Sequence, residues 1–244
     1  MAFHIAEYKY LDVLSGNVVL ELGCGRGHTV AELSERFEKI FGVDPDIFLL
    51  FDELAKRQFS CAQNFFVAGG SGESLPFADE TFDGVISHWS LHHYRYPLTV
   101  MREVWRVLRN DGWLYLADGV DYPDEKMTLK QRNHQNFHRF AVAADRYRKR
   151  DHYPLRTADS IEKILERAGF SVSESVIVSE EDPNDPRREE DYVRGYIENL
   201  SALMEKMLEL EAPMKLVEDL KDLIKSIRNN GIRMAPFAII TAKK

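Results

Sequence analysis

Residues 18–28, VVLELGCGRGH, leave a chain few ways to fold. Val18, Val19 and Leu20 form the short apolar run of a strand buried on both faces, and Glu21 ends it. Gly23, Gly25 and Gly27 follow at every second position. Apolar Val30, Ala31, Leu33 and Phe37 then recur among polar residues, as on an amphipathic helix. Strand, glycine-rich turn and helix make a nucleotide-type pocket, because glycine takes dihedrals other residues resist and lets a ligand approach the backbone. Spacing separates the ligands. A dinucleotide fingerprint, G-x-G-x-x-G, would put glycine at position 28, where this chain has His28. An acid at Glu21, two residues ahead of the first glycine, suits a ligand with a cationic end better than a pyrophosphate. A dinucleotide site and a purely structural turn stay open at this point.

Residues 39–43 (KIFGV) read as the next strand, ending in Asp44-Pro45-Asp46. Asp44 lies nineteen residues beyond Gly25, where a carboxylate can accept bonds from both hydroxyls of a ribose. The alternative is an Asp that caps a helix over residues 47–57, a job for which Asp46 is better placed.

The turn resembles motif I (E/D-x-G-x-G) of the class I S-adenosylmethionine-dependent methyltransferases. A second stretch carries the same resemblance. After a strand at residues 65–68, GGSGESLPFADETFDGVISHWSLHHY is similar to the pattern G-D-A-E-x-L-P-F-x-D-x-S-F-D-x-V of that family's small-molecule group, which includes the ubiquinone and menaquinone C-methyltransferases. The match runs through Gly70, Ser71, Gly72, Glu73, Leu75, Pro76, Phe77, Asp79, Phe82, Asp83 and Val85. The resemblance implies an α/β fold: a Rossmann-like, seven-stranded, mostly parallel sheet with helices on both faces and a helical cap insertion before the last strand. It implies S-adenosyl-L-methionine as cofactor. Glu21, Gly23 and Gly25 would then hold its methionine part, Asp44 and Pro45 its ribose, and Ser71, Gly72 and Glu73 its adenine side, with Ser87 and His88 below the sulfur. Ser71 departs from the family, which has an acid there for the adenine amino group; a hydroxyl accepts that bond more weakly.

Residues 82–88 form the fourth strand, and ligands in open α/β sheets bind at the carboxyl ends of strands. His88, His92 and His93 have helical spacing, but no carboxylate accompanies them at ligand spacing, so no metal is expected. His88 or His93 as general base is the candidate catalytic role, set against hydrogen bonding that merely orders the strand end. This strand end does not read Asn/Asp-Pro-Pro-Tyr, as in enzymes that methylate amino groups of nucleic-acid bases.

The remaining elements follow from periodicity. Residues 3–14 suggest a short helix, whose Tyr8 and Tyr10 are weak candidates for a lid, as aromatics just upstream of motif I often are in the resembled family. Residues 97–108 make a helix with a stripe of Leu98, Met101, Val104, Trp105 and Leu108, and residues 109–112 turn it into a strand at 113–117. A helix at 157–168 stops at Gly169, a strand alternates over 170–178, and a last strand spans 237–242. Between these strands, helices at 189–210 and 213–229 carry stripes of Tyr192, Tyr196, Leu200, Leu203, Met207 and Leu210 and of Leu216, Leu220, Leu223 and Ile227. They suit a lid or the interface of a homodimer. Residues 121–156 are rich in His, Arg and aromatics. There His134, His138, Tyr147 and Arg148 are candidates to bind substrate, against the alternative of an exposed charged helix.

The chain thus reads as one methyltransferase domain over 1–244: a cofactor-binding core at 1–120, a substrate-lining segment at 121–156 and a helical insertion at 180–235. A formal net charge of −8 disfavours a general nucleic-acid binder, and the resemblance implies transfer of a methyl group to a small-molecule acceptor. Two cysteines, Cys24 and Cys61, make no disulfide framework, and no leader or long apolar run appears, so a cytoplasmic protein without a membrane span is expected. Methylation of a protein or RNA, and a non-catalytic cofactor-binding scaffold, are the alternatives.

Overall fold

The computed structural model describes residues 5–12, 14–46 and 64–244. The helix expected at 47–57 and Cys61 lie outside the described residues, as does the side chain of Tyr8. The chain divides into two compact units: a sheet unit of residues 1–119, 156–177 and 238–244, and a helical unit of residues 120–155 and 178–237.

The sheet unit holds seven strands in the order β3-β2-β1-β4-β5-β7-β6. They are β1 (Val18–Leu22), β2 (Lys39–Asp44), β3 (Phe65–Gly69), β4 (Phe82–His88), β5 (Leu108–Gly119), β6 (Ser171–Val178) and β7 (Phe237–Lys243). The pairs β1–β2, β2–β3, β1–β4 and β4–β5 are parallel. β7 opposes β5: the Val120 N–H donates to Pro236 O at one end and the Lys244 N–H to Gly112 O at the other. Central β1 and β4 are buried almost throughout because both faces are covered. The edge strands β3 and β6 are only partly buried, and β6 alternates polar and apolar residues over most of its length. Chain order reverses direction between β1 and β4, so their carboxyl ends flank the switch point where such sheets bind ligands.

Asp83 pins the start of β1: its Oδ2 accepts the N–H groups of Asn17 (2.8 Å) and Val18 (2.9 Å), while Arg109 pairs with Oδ1. These bonds hold its carboxyl below the usual range despite partial burial. Residues 109–112, expected as a turn, belong to β5. The register jumps from Phe82↔Leu108 to Gly84↔Trp113, so the extra residues form an irregularity with Asp111 at φ 62°. Trp113 then lies flat over Gly84, where a Cβ would stand 2.1 Å from its ring. Trp113 is itself buried and its Nε1 donates to Ser15 O at 2.7 Å, so it cannot swing aside. Gly84→Ala is therefore expected to destabilise the fold by about 3 kcal/mol in a urea midpoint measurement. Combining it with Trp113→Phe should recover part of the loss; a single variant as stable as the parent would refute the packing argument.

The helices of the sheet unit are α1 (Ile5–Leu11), α2 (His28–Leu33), α3 (Pro97–Val107) and, later in the chain, α5 (Ala158–Ala168). In α3 the buried stripe is Val100, Met101, Val104 and Val107. Trp105 faces outward instead, with the Lys244 ammonium 4.0 Å above its ring. α5 is capped by Thr157, whose hydroxyl accepts the Ser160 N–H, and stops at Gly169, φ 110°.

The helical unit packs α4 (Leu129–Tyr147), α6 (Glu190–Glu209) and α7 (Met214–Asn230) around Phe140, Leu200, Leu220, Leu223, Ile224, Ile227 and Ile232. α4 opens with a capping box between Thr128 and Gln131. It is not the simple exposed charged helix its composition suggests. Gln131, Asn133 and Gln135 are buried because their amides donate to the carbonyls of Ser179, Gly231 and Tyr122. On α6 the inward stripe is Val193, Tyr196, Ile197, Leu200, Met204 and Met207, whereas Tyr192, Leu203 and Leu210 of the expected stripe are exposed. Among the described residues no helix is long and apolar enough to cross a membrane.

Candidate functional site

The turn after β1 is shaped by glycine: Gly23, Gly25 and Gly27 have φ of 75°, 46° and 75°. It is fastened to β2. The N–H groups of Gly23 and Cys24 both donate to Val43 O, and the Gly25 N–H donates to Asp44 Oδ2 at 2.9 Å. Asp44 Oδ1 also accepts the Asp46 N–H at 2.8 Å, closing a turn of its own. Each carboxylate oxygen keeps a second acceptor position. Pro45 beside it is exposed. A Cβ at Gly23 would strike Ser90 Cβ at 2.6 Å, whereas a Cβ at Gly25 would meet nothing within 4 Å. The turn is packed on one side and open at Gly25.

Glu21 is 2% exposed, and burial pushes its carboxyl up to about 8, against the opposing bonds from the Thr29 hydroxyl and Val30 N–H. Its Oε2 has no hydrogen-bond partner among the described residues. From Thr29 a string of polar groups runs through the interior. Thr29 Oγ1 lies 3.1 Å from His88 Nδ1, His88 Nε2 lies 3.3 Å from Glu7 Oε1, and Tyr115 donates its hydroxyl to that same oxygen at 2.7 Å. Burial and the Glu7 charge push the Tyr115 phenol well above its usual value. Held at both ring nitrogens, the buried His88 orients the β4 end. His88 is thus placed to order the strand end, the alternative set beside its general-base role.

Beyond His88 the chain turns sharply, with Trp89 at φ 55° and its N–H donating to Ala117 O. Ser87 Oγ lies 3.0 Å from Ser90 Oγ, which donates to Leu22 O, so Ser87 ties β4 to β1. Two residues unremarked in the sequence, Tyr94 and Asp118, complete this corner. Tyr94 bonds Ser90, and its ring atoms lie 3.0 Å from where a Gly72 Cβ would stand; burial raises its phenol. Asp118, at the end of β5, accepts the His92 N–H at 2.9 Å and lies 2.6 Å from His92 Nδ1. That partner holds the buried Asp118 below its usual value, with the bonds and His92 charge outweighing desolvation. The only sequence signal was an acid closing the apolar run of β5. His93 is exposed, its ring 4.4 Å from that of His92.

The loop after β3 presents Ser71 to solvent, its hydroxyl accepting the Glu73 N–H at 3.2 Å. Gly72 is buried against Tyr94 and Val100, and Glu73 is half-buried. Arg106 secures this loop by donating to the carbonyls of Leu75 and Phe77 and to Glu103 and Asp79; Glu103 in turn accepts the Leu75 N–H. At the N-terminus Tyr10 is buried with its hydroxyl on Glu174, which corrects its reading as a lid.

In the helical unit the four expected substrate residues do not converge. His134 is enclosed: the Ala235 N–H donates to Nδ1, and Arg187 Nη1 lies 3.1 Å from Nε2. Burial and the Arg187 charge push it down to about 3. His138 lines a cavity of about 320 Å³ with Arg139 and Arg146, and its Nε2 lies 3.1 Å from His152 Nε2, whose Nδ1 is held by Asp145. Tyr147 and Arg148 are exposed at the end of α4.

Residues 20–116 match the family described as methyltransferase domain. The chain is 32% identical to an uncharacterized methyltransferase of Bacillus subtilis over 118 residues, 48% of this chain and 46% of the relative. It is 28% identical to a tRNA U34 carboxymethyltransferase of Idiomarina loihiensis over 193 residues, 76% of this chain and 55% of the relative. The chain thus spans about half the length of these curated relatives. A crystal structure from Bacillus halodurans shares the fold, with a TM-score of 0.67 at 20% identity over 98% of this chain and 97% of that one.

Proposed function

We propose that the chain, whose residues 20–116 match a methyltransferase domain, binds S-adenosyl-L-methionine at the β1–β2–β4 edge and transfers its methyl group to a small-molecule acceptor. One observation carries the cofactor reading. Among the described residues a buried carboxylate oxygen of Glu21 lacks a partner beside a glycine turn that is open at Gly25, which suits a ligand bringing a cationic amino group close to the backbone.

In this reading Glu21, Gly23 and Gly25 hold the methionine part, Asp44 the ribose hydroxyls, and the loop of Ser71, Gly72 and Glu73 the adenine side. The bound sulfonium supplies an activated methyl group. The residues of the chain then have to orient the acceptor in line and exclude water. The β4 corner, braced by His88 and the Ser87–Ser90 pair, sets that geometry, and His92 with Asp118 is better oriented for handling a proton than exposed His93.

Calorimetric titration with S-adenosylmethionine and with NAD, side by side, tests the cofactor. Binding of NAD alone would overturn it. Asp44→Ala is expected to weaken S-adenosylmethionine about tenfold, since it removes both the ribose acceptor and the Gly25 N–H bond. Unchanged affinity would remove Asp44 from the site.

A net charge of −8 and the Ser-His-Trp-Ser end of β4 support a small acceptor. The match to a tRNA-modifying relative supports RNA as a second reading, which methyl transfer to bulk tRNA would favour. The exposed Tyr192, Leu203 and Leu210 of α6 are the surface through which a second copy would pair.

A further inference from the structure

The helical unit contains a cavity of about 720 Å³ into which six cationic side chains project: Lys130, Arg187, Arg188, Arg194, Arg228 and Arg233. Only Glu190 and Glu198 oppose them in the lining. In a chain whose formal net charge is −8, so dense a positive cluster needs a reason.

Two of these arginines are unusually placed. Arg233 is 9% exposed. Its Nη1 donates to the carbonyls of Arg187 and Ile232, but its Nε lies 3.4 Å from Glu181 Oε2 without making a hydrogen bond. Arg187 is nearly buried, with Nε donating to Asp185 Oδ1 at 2.7 Å and Nη1 set against His134, which burial keeps neutral. Asp185 pairs with Arg187, Glu181 is shared by Arg188 and Arg233, and Asp191 pairs with Arg194, which leaves Lys130 and Arg228 without an ion-pair partner among the described residues. Burying guanidinium groups with an unfilled donor is costly unless an anion completes them.

The cavity wall is not wholly polar. Val193, Ile197 and Ile227 line it as well. The carboxyl end of α7 contributes its carbonyl dipole, which opposes an anion by about half a charge and is outweighed by the cations. The frame is fixed: the Arg233 N–H donates to Lys130 O and Asn133 donates to Gly231 O at 2.7 Å.

We propose that this cavity is a binding site for an organic phosphate, its phosphate or diphosphate head held by Lys130, Arg187, Arg228 and Arg233 and its apolar body against Val193, Ile197 and Ile227. Guanidinium forks match phosphate oxygens in pairs, which is why arginine predominates here. A polynucleotide would call for a basic track continuing past the cavity, and the lining acids and the chain's negative charge oppose one. The site lies wholly within the helical unit, so it stands or falls independently of the cofactor reading.

The test is calorimetric titration of the intact protein with inorganic pyrophosphate, beside a 20-nucleotide RNA and S-adenosylmethionine. Pyrophosphate should bind with micromolar affinity at about 50 mM salt and weaken at least about tenfold by about 300 mM. The double variant Lys130→Gln, Arg228→Gln, both residues at the helix surface, should keep its melting temperature and its S-adenosylmethionine affinity while losing about tenfold or more in pyrophosphate affinity. No pyrophosphate binding, binding unaffected by the double variant, or tighter RNA binding with a steep salt slope would each overturn the proposal. Pyrophosphate binding without S-adenosylmethionine binding would uphold this site and remove the cofactor reading instead.

Discussion

Glu21→Gln is expected to raise the stability of the ligand-free protein at pH 8 while weakening its affinity for S-adenosylmethionine. The first effect follows from the buried carboxyl, whose value rises from the usual 4.5 to about 8. The folded state keeps a proton there that the unfolded chain releases. This contribution is fully present below about 4.5 and is lost as pH rises through about 8, at up to about 1.4 kcal/mol per pH unit. Glutamine has no such charge to bury. Allowing for the weakened bonds to Thr29 and Val30, the variant should gain about 2 kcal/mol at pH 8 and little at pH 5 by urea unfolding. The second effect has the opposite sign, because a ligand cation no longer meets a carboxylate: affinity should fall by roughly thirtyfold, or about 2 kcal/mol. Binding to the parent at pH 7 should also release a proton from Glu21, visible as a dependence of the binding enthalpy on buffer, and the variant should show none. A variant destabilised at pH 8, or one binding as tightly as the parent, would sink the assignment of Glu21 to the cofactor site.

Gly25→Ala is expected to separate binding from stability still more sharply. With φ 46° the position strains any side chain, at about 1 kcal/mol, but a Cβ there meets no protein atom within 4 Å. The open space is what the ligand requires. A methyl group projecting into it should lower S-adenosylmethionine affinity at least about a hundredfold while the melting temperature shifts only a few degrees. Gly23→Ala makes the contrast, since its Cβ collides with Ser90 and should harm folding itself. Tight binding by Gly25→Ala would mean that the ligand does not approach this turn.

The parts of the molecule legible in the sequence are those whose information is local. The apolar run of β1, the alternate glycines and the Asp44 turn each declare themselves within a few residues, and the sheet followed from them. Pairings over long separations were not legible. His92 and Asp118 are 26 residues apart, and Glu103 and Arg106 act on a loop some 28 residues upstream. The helical unit is the opposite case. Residues 134–150 are dense in His and Arg, but a rise of about 1.5 Å per residue spreads His134, His138 and Arg148 over about 20 Å of helix, with His134 held by Ala235 and Arg187 and Arg148 exposed. The cations that do converge come from three separate segments, around residues 130, 187–194 and 228–233, none of which looks unusual alone.

The place of β7 bears on how the chain reaches this state. It is the last strand in sequence, yet it sits between β5 and β6. During synthesis from the N-terminus, β1 to β5 can assemble as soon as they emerge, whereas the inner edges of β5 and β6 have no partner until more than fifty further residues have followed β6. Those edges are apolar backbone ladders of the kind that recruit foreign strands. The interval before β7 closes the gap is the period of greatest aggregation risk for the nascent protein, and the moment when a chaperone has most to protect.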